Sequence, residues 1–293
     1  MGFTYWQVLP FNPIDRANSP YCSPSAFAGN YIFINPKGLY DMGLICEEDY
    51  KSNIYDGTPY MADYEFAGKK RLELLKKAFL NINDELARQI KEFEISNSWL
   101  TDYSVFMAVK EEENMKPWWE WSDEHAHYFE CIKDIYSYEK SAAFWKFVQF
   151  VFYKQWNEIK AYANKKGVAV IGDMPIYVAM DSVDVWSNLP MFLIDEKTLK
   201  VEKVAGVPPD YFSKDGQLWG NPIYDWNAME KDNFSWWISR IGHSLKLYDT
   251  VRIDHFRAFS SYWAVPAESE TAKVGEWLDA VSYTHLRAHE TRH

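Results

Sequence analysis

The amino-acid sequence predicts an α/β protein in which helices alternate with parallel strands. Two stretches each consist of an amphipathic helical segment, a short apolar run and then an acid: 139–166, 168–172 and Asp173 in the first, and 234–247, 249–253 and Asp254 in the second. Short continuous apolar runs are typical of strands buried in a parallel sheet. Parallel β/α folds carry their sites at the carboxyl ends of the strands, so we place both acids on the functional edge.

The remaining elements follow from local patterns along the chain. Residues 4–9 form an apolar, β-prone run, which we interpret as an interior strand. Residues 11–60 are rich in Pro, Gly, Asn and Ser, which are typical of structured loops. Apolar residues at helical spacing predict helices within 61–95 and over 101–114. The aromatic segment 116–128 follows, and its tryptophans are expected to pack within a subdomain.

Composition and charge exclude several classes of protein. Lys and Arg total 31 and Asp and Glu total 42 among 293 residues, a net charge of -11. The chain therefore lacks the basic surface that nucleic acids or anionic membranes require. No apolar run approaches the roughly 20 residues of a membrane helix, and we expect a cytoplasmic protein. Three cysteines without CxxC spacing argue against a disulfide framework or a zinc site, and no cofactor or metal is expected.

Aromatic residues are unusually frequent, at 18% of the chain. Their rings bury large apolar areas, and Tyr and Trp keep a polar atom, which suits the apolar faces and hydroxyl edges of sugars. Carboxylates accept hydrogen bonds from sugar hydroxyls. Acidic and aromatic residues together favour a carbohydrate ligand, although any single ring can equally fill a core.

Arg252 and Asp254 are the first candidates for chemistry. They stand two residues apart on one predicted strand, so both side chains point to the same face. A neighbouring guanidinium favours the ionised carboxylate, and retaining glycoside chemistry needs one ionised carboxylate beside one protonated acid. A structural Arg–Asp pair is the alternative. His255 alone is more typical of a hydrogen-bonded wall residue.

Five sequence blocks resemble the amylomaltase (4-α-glucanotransferase) family and occur in that family's order. They read TYWQVLPF, SPYCSPSAFAGN, GDMPIYVAMDSVDVW, AGVPPDYFSKDGQLWGNPIYDW and VRIDHFRAFSSYW. The resemblance implies part of an α-amylase-like (β/α)8 barrel, about strands 2 to 4, with inserted subdomains at about 22–140 and 182–232. It also implies transfer of α-1,4-glucan segments between maltooligosaccharides by double displacement.

The same resemblance implies roles for individual residues. By motif position Asp254 is the nucleophile, and Arg252 holds it charged. The residues implied to contact the glucan are Asp173, His255, Gln217, Trp219, Tyr211, Phe212, Ser19 and Tyr21, of which Tyr211 and Phe212 lie on a covering loop. The prolines, glycines and aromatics of that loop suit a lid that excludes water.

The sequence also departs from the family. The AEDLG-like block that carries the general acid and a later HDN-like block are not found, so we expect the proton donor outside this chain and the chain itself to be inactive. Residues 1–281 are interpreted as a fragment of the catalytic barrel, and 282–293 as a non-native tail. An α-glucan hydrolase of the same barrel class and a non-catalytic glucan-binding protein remain alternative functions.

Overall fold

The structure is a computed structural model that describes residues 2–15, 17–58, 60–128 and 137–281. The chain divides into two compact units. One comprises Met1–Trp6, Phe11–Pro20 and Phe27–Val170, and the other comprises Gln7–Pro10, Tyr21–Ala26 and the chain from Ile171 onward. Cys131 and the predicted tail, 282–293, lie outside the described residues. Within the described ranges, no helix is both long and apolar enough to cross a membrane.

The first unit is helical. Its α-helices in the described residues are α1 (Pro36–Asp41), α2 (Glu47–Lys51), α3 (Tyr64–Phe79), α4 (Asp84–Ile95), α5 (Trp99–Glu112), α6 (Asp123–Ala126) and α7 (Glu139–Lys165). The predicted helical region 61–95 is two helices, because Asn83 caps α4 by accepting a hydrogen bond from the Leu86 N–H. Helix α5 begins two residues before the predicted start. Helix α7 confirms the prediction, and Gly167 follows it with a positive φ of 76°.

Aromatic packing between α5 and α7 forms the core of this unit. Phe106 of α5 and Phe147 of α7 are fully buried. Trp118 and Trp121 are also buried, which confirms a packing role for these two tryptophans. His125, whose spacing from His127 could suit a metal, instead has Nδ1 2.6 Å from Glu113 and Nε2 2.6 Å from the Tyr138 hydroxyl.

A three-stranded sheet carries the predicted functional edge. Its strands are β1 (Tyr5–Gln7), β2 (Ala169–Met174) and β5 (Thr250–Ile253), in the order β1-β2-β5. Strands β2 and β5 are parallel, and the register places Asp173 opposite Arg252. Within the described residues β1 lies at the end of this order and its three residues are exposed, which differs from the interior strand predicted for 4–9. An apolar run indicates that a segment tends to be buried, but it does not indicate how many strands lie beside it.

The second unit also contains an antiparallel sheet that the sequence did not predict. Its strands are β3 (Lys203–Val207), β4 (Gln217–Pro222), β6 (Ser261–Pro266) and β7 (Glu276–Asp279), in the order β4-β3-β6-β7. The α-helices of this unit in the described residues are α8 (Val183–Trp186), α9 (Trp226–Lys231) and α10 (Ser235–Leu247). Val204, Val265 and Ala272 form a small core on the sheet. The strands span 203–279 and so extend beyond the predicted insertion at 182–232.

Candidate active site

The carboxyl ends of β2 and β5 bring three charged side chains together. Asp173 lies in β2 directly opposite Arg252 in β5, and Asp254 is the first residue after β5. The Asp254 N–H donates to the Met174 carbonyl at 3.0 Å, which continues the parallel pairing one step beyond the strand. The position of both acids is therefore fixed by backbone hydrogen bonds of the sheet.

Arg252 bridges the two acids. Its Nη1 lies 2.6 Å from Asp173 Oδ1, and its Nη2 contacts Asp254 Oδ1. The Asp173 side chain is only 3% exposed, whereas those of Arg252 and Asp254 are 48% and 43% exposed. The hydrogen bond to Asp173, and the charges of both acids, raise the pKa of Arg252 above its usual range. The arrangement is a buried carboxylate and an accessible carboxylate held by one guanidinium.

Tyr21 completes the contacts of the buried acid. Its hydroxyl donates to Asp173 Oδ2 at 2.8 Å. Burial raises the pKa of Tyr21, and the hydrogen bond to Asp173 raises it further because the phenol is a donor there. Both oxygens of Asp173 thus accept hydrogen bonds. Ser19, which was predicted beside Tyr21, belongs to the first unit, where its N–H donates to the Asp15 carboxylate at 3.0 Å.

His255, which directly follows Asp254, packs against an aromatic side chain. The ring of Trp219 is 4.9 Å from that of His255 with an interplanar angle of 85°, and its Nε1 donates to Gln217 Oε1 at 3.1 Å. His255 has a positive φ of 50°, a conformation that is costly for a residue with a side chain and is frequent at functional sites. Burial lowers the pKa of His255, which favours the neutral imidazole, although the Asp254 charge opposes this.

The loop between β3 and β4 carries the most exposed aromatic pair. Tyr211 is 97% and Phe212 is 91% exposed, and their rings meet edge to face at 5.7 Å. Asp210 shapes the loop by accepting hydrogen bonds from the N–H groups of Phe212 and Ser213 at 2.8 Å each. At the base of the loop the Asp215 carbonyl accepts from the Ala272 N–H at 3.0 Å. The loop therefore has an ordered turn, a fixed base and solvated rings at its tip.

A family model described as 4-alpha-glucanotransferase matches residues 1–293. The chain belongs to the 4-α-glucanotransferase family. It is 44% identical over 286 residues to the 4-alpha-glucanotransferase of Clostridium butyricum, an alignment that covers 94% of this chain and 58% of the relative. It is 46% identical over 289 residues to that of Aquifex aeolicus, covering 97% and 58%. The chain thus spans little more than half the length of these curated relatives.

Solved structures are similar in fold to this chain. An amylomaltase from Streptococcus agalactiae in complex with acarbose is 40% identical, with a TM-score of 0.89 over 94% of this chain and 57% of that chain. An amylomaltase from Corynebacterium glutamicum is 15% identical, has a TM-score of 0.71, covers 94% and 39%, and supports the fold alone. The predicted α/β class is confirmed.

Two buried charged residues of this glucanotransferase-family chain were not predicted from the sequence. Asp184 and Arg240 are 2% and 3% exposed and lie in the same unit as the Arg252 bridge. Arg240 donates to the Pro175 carbonyl at 2.6 Å and to the Ile176 carbonyl at 3.1 Å, just beyond β2. An acid between two apolar residues, as in Val183–Asp184–Val185, is the signal that could have identified Asp184.

Proposed function

We propose that the complete protein transfers α-1,4-glucan segments between maltooligosaccharides by a retaining double displacement, with Asp254 as the nucleophile. The observation that carries this proposal is the bridge from Arg252 to both Asp173 and Asp254. The bridge presents one carboxylate that is accessible and oriented beside another that is buried and fully hydrogen-bonded. Family membership and the amylomaltase neighbour support the same reaction class.

Asp254 suits the nucleophile because its carboxylate is both paired with a guanidinium and reachable. Arg252 holds Oδ1 and so orients the group, while the 43% exposure of the side chain leaves room for a sugar to approach. A guanidinium beside the attacking oxygen also balances the negative charge that returns to Asp254 when the glycosyl-enzyme bond breaks. In the first step the Asp254 oxygen bonds to the anomeric carbon, and the glycosidic oxygen leaves with a proton from the general acid. In the second step an acceptor hydroxyl bonds to the anomeric carbon, gives its proton to that same group and displaces Asp254.

Asp173 suits a sugar-binding role and not that of the proton donor. Both of its oxygens already accept hydrogen bonds, from Arg252 and from Tyr21. Because both oxygens are engaged by donors of this chain, neither is placed to give a proton to a leaving group, which a general acid must do in a retaining mechanism. We therefore retain the prediction that the general acid lies in the AEDLG-like block of the family, outside the residues of this chain.

The aromatic residues supply surfaces for the glucan. Trp219 and His255 form a wall beside Asp254, and Gln217 can offer a hydrogen bond at the edge of that wall. We assign Tyr211 and Phe212, which are almost fully exposed, to a loop that closes on bound sugar, with its base held at Asp215. Tyr21 and Ser19 are each proposed to contact the glucan.

We further propose that β1, β2 and β5 are the second, third and fourth strands of a (β/α)8 barrel. Their order in the sheet follows their order in the chain, as in a barrel of parallel β/α units. The two acids at the ends of β2 and β5 then stand at the carboxyl-terminal face.

A cytoplasmic location for the complete protein stays a prediction, which cell fractionation can test.

The decisive experiment uses a donor whose leaving group needs no proton. In α-maltosyl fluoride, fluoride departs without a general acid, so a chain with Asp254 but without the proton donor should still release it. We expect fluoride release by the purified chain, a loss of at least about 100-fold in Asp254→Asn, and unchanged release in the matched control Asp279→Asn. Asp279 is an exposed carboxylate on β7.

The products and a second substrate separate the alternatives. Longer oligosaccharides indicate transfer, whereas maltose alone indicates an α-glucan hydrolase. Glucan binding without fluoride release indicates a non-catalytic binding protein, and release that persists in Asp254→Asn contradicts the proposed nucleophile. Maltotriose, whose leaving oxygen needs a proton, should not be redistributed. Redistribution that Asp254→Asn abolishes would show that an acid of this chain donates the proton.

A further inference from the structure

The segment Tyr21–Ala26 is held at both ends by side chains of the second unit. At one end the Tyr21 hydroxyl donates to Asp173 Oδ2 at 2.8 Å. At the other end the Ala26 N–H donates to Asp184 Oδ2 at 2.7 Å. Between them the Val183 N–H donates to the Pro24 carbonyl at 2.9 Å. Helix α8 therefore anchors one end of the segment Tyr21–Ala26. At the other end, Tyr21 contacts Asp173 of the candidate active site.

Asp184 is an energetically costly acceptor for the Ala26 N–H. It is 2% exposed, and burying a carboxylate costs more than burying a neutral amide that could accept the same hydrogen bond. Burial raises the pKa of Asp184 to about 6, against the opposing effects of the Ala26 N–H and the Arg240 charge. At neutral pH the group is nevertheless mostly ionised, so a negative charge is kept in the interior.

Arg240 gives this buried charge a second connection to the site. It is 3% exposed, its charge acts on Asp184, and it donates to the carbonyls of Pro175 and Ile176. These two residues directly follow β2, whose Asp173 accepts the hydrogen bond from Tyr21. Asp184 thus holds the segment that carries the donor, Tyr21. Arg240 holds the end of β2, the strand that carries the acceptor, Asp173.

We propose that Asp184 is a positioning residue that sets Tyr21 against Asp173 by anchoring the Ala26 end of the segment Tyr21–Ala26. This role rests on the proposed function only in that Tyr21 and Asp173 are taken to be sugar contacts. Asp184 does not itself reach the sugar. Removing its acceptor should release the segment, so that Tyr21 spends less time in its hydrogen bond to Asp173.

The test uses Cys22, which follows Tyr21 directly, as a reporter of the segment. In a Cys46→Ser, Cys131→Ser background, the alkylation rate of Cys22 by iodoacetamide is measured in the folded chain. We expect Asp184→Ala to raise the alkylation rate by about fivefold or more, because the variant loses the buried hydrogen bond that anchors the Ala26 end of the segment. Asp184→Asn keeps an acceptor oxygen for the Ala26 N–H and should stay within about twofold of the parent.

A matched control separates positioning from damage to α8. Ser182 caps α8 by accepting a hydrogen bond from the Val185 N–H at 3.3 Å, so Ser182→Ala weakens the helix without removing the acceptor of Ala26. It should leave the alkylation rate of Cys22 near the parent value. An unchanged rate in Asp184→Ala, or an equal rise in Ser182→Ala, would overturn the proposal. If Asp184→Ala does not fold, a rise in Asp184→Asn of fivefold or more overturns it as well.

Glucan affinity gives the second readout. Maltoheptaose binding is measured by calorimetry for Asp184→Ala, Tyr21→Phe and the double variant. If Asp184 acts through Tyr21, the double variant should bind no more weakly than Tyr21→Phe alone, and additive losses would contradict the proposal. A parent chain that binds no maltoheptaose counts against the proposed function, and the alkylation rates then decide the role of Asp184 by themselves.

Discussion

Gly172 offers a direct test of how the candidate site is built. It lies in β2 immediately before Asp173, and an ideal Cβ at this position would be 2.2, 2.4 and 2.5 Å from three ring atoms of Tyr248. The Tyr248 ring is buried, with 5% exposure. Gly172 does not have a positive φ. The backbone would therefore accept alanine, and the cost of Gly172→Ala is steric.

The magnitude follows from the size of that overlap. Ordinary Cβ contacts begin at 3.4 Å, so the ring or the strand must move by about 1 Å to accept a methyl group. Overpacking of this kind typically costs about 1–3 kcal/mol. Tyr248 lies two residues before β5, so movement of its ring also disturbs the alignment of Arg252 with Asp173. We expect Gly172→Ala to lower both the free energy of unfolding and the affinity for maltoheptaose.

Gly242 is a matched control in the same unit. It lies in α10, and its added Cβ would meet no atom within 4 Å. Alanine is favoured over glycine in a helix by about 1 kcal/mol, so Gly242→Ala should be stabilising. The two Gly→Ala variants should therefore differ by about 2–4 kcal/mol in urea titrations followed by tryptophan fluorescence. Equal stabilities, or full glucan affinity in a destabilised Gly172→Ala, would refute the reasoning.

Three further predictions concern the charged network and the loop. Arg252→Lys should reduce maltoheptaose affinity about tenfold in calorimetry, because one ammonium cannot replace a guanidinium that bridges two carboxylates; unchanged affinity would contradict the bridge. Because burial raises the pKa of Asp184 from 3.8 to about 6, the folded state binds this proton more tightly than the unfolded state, and the contribution of Asp184 to stability should fall as the pH rises from about 4 to about 6. Asp184→Asn lacks this loss, so its stability relative to wild type should rise by about 2 kcal/mol between pH 4.5 and pH 7.5, measured by urea titration at those two pH values; no relative change would place the pKa elsewhere. Alanine at both Tyr211 and Phe212 should change the free energy of unfolding by less than about 0.5 kcal/mol, since both rings are solvated, while weakening maltoheptaose binding; unaltered binding would remove these rings from the sugar site.

The alternation of helix, apolar run and acid was enough to predict that Asp173 and Asp254 lie at the same edge of the sheet. Parallel strands end at the same edge of a sheet, so two acids that each follow such a strand are brought close without further information. The i, i+2 spacing of Arg252 and Asp254 likewise predicted their contact, which is present. The hydrogen bond from Tyr21 to Asp173 could not be predicted in this way, because it joins residues 152 positions apart through a loop.

The antiparallel sheet could not be predicted for a related reason. Its strands contain Gly and Pro, as in Gln217–Pro222, and these residues are typical of loops in a local pattern. The pairing of β3 with β6 brings together residues about 60 positions apart, with Gly206 opposite Trp263. Gly216 has a positive φ of 69°, and a Cβ there would lie 2.4 Å from the Val207 carbonyl oxygen. Such a close approach is visible only once the strands are paired.

The alignment of the charged residues depends on the register of β2 against β5. A slip of one residue would turn every side chain of one strand to the other face, so Arg252 would no longer lie beside Asp173. In the observed register Gly172 is opposite Val251, and the buried Tyr248 ring occupies the space that a side chain at Gly172 would fill. After a slip in either direction the ring would meet Ile171 or Asp173, each of which carries a Cβ. The missing side chain of Gly172 therefore selects the one register in which Arg252 can bridge both acids, so a residue without functional groups helps to set the geometry of the proposed nucleophile.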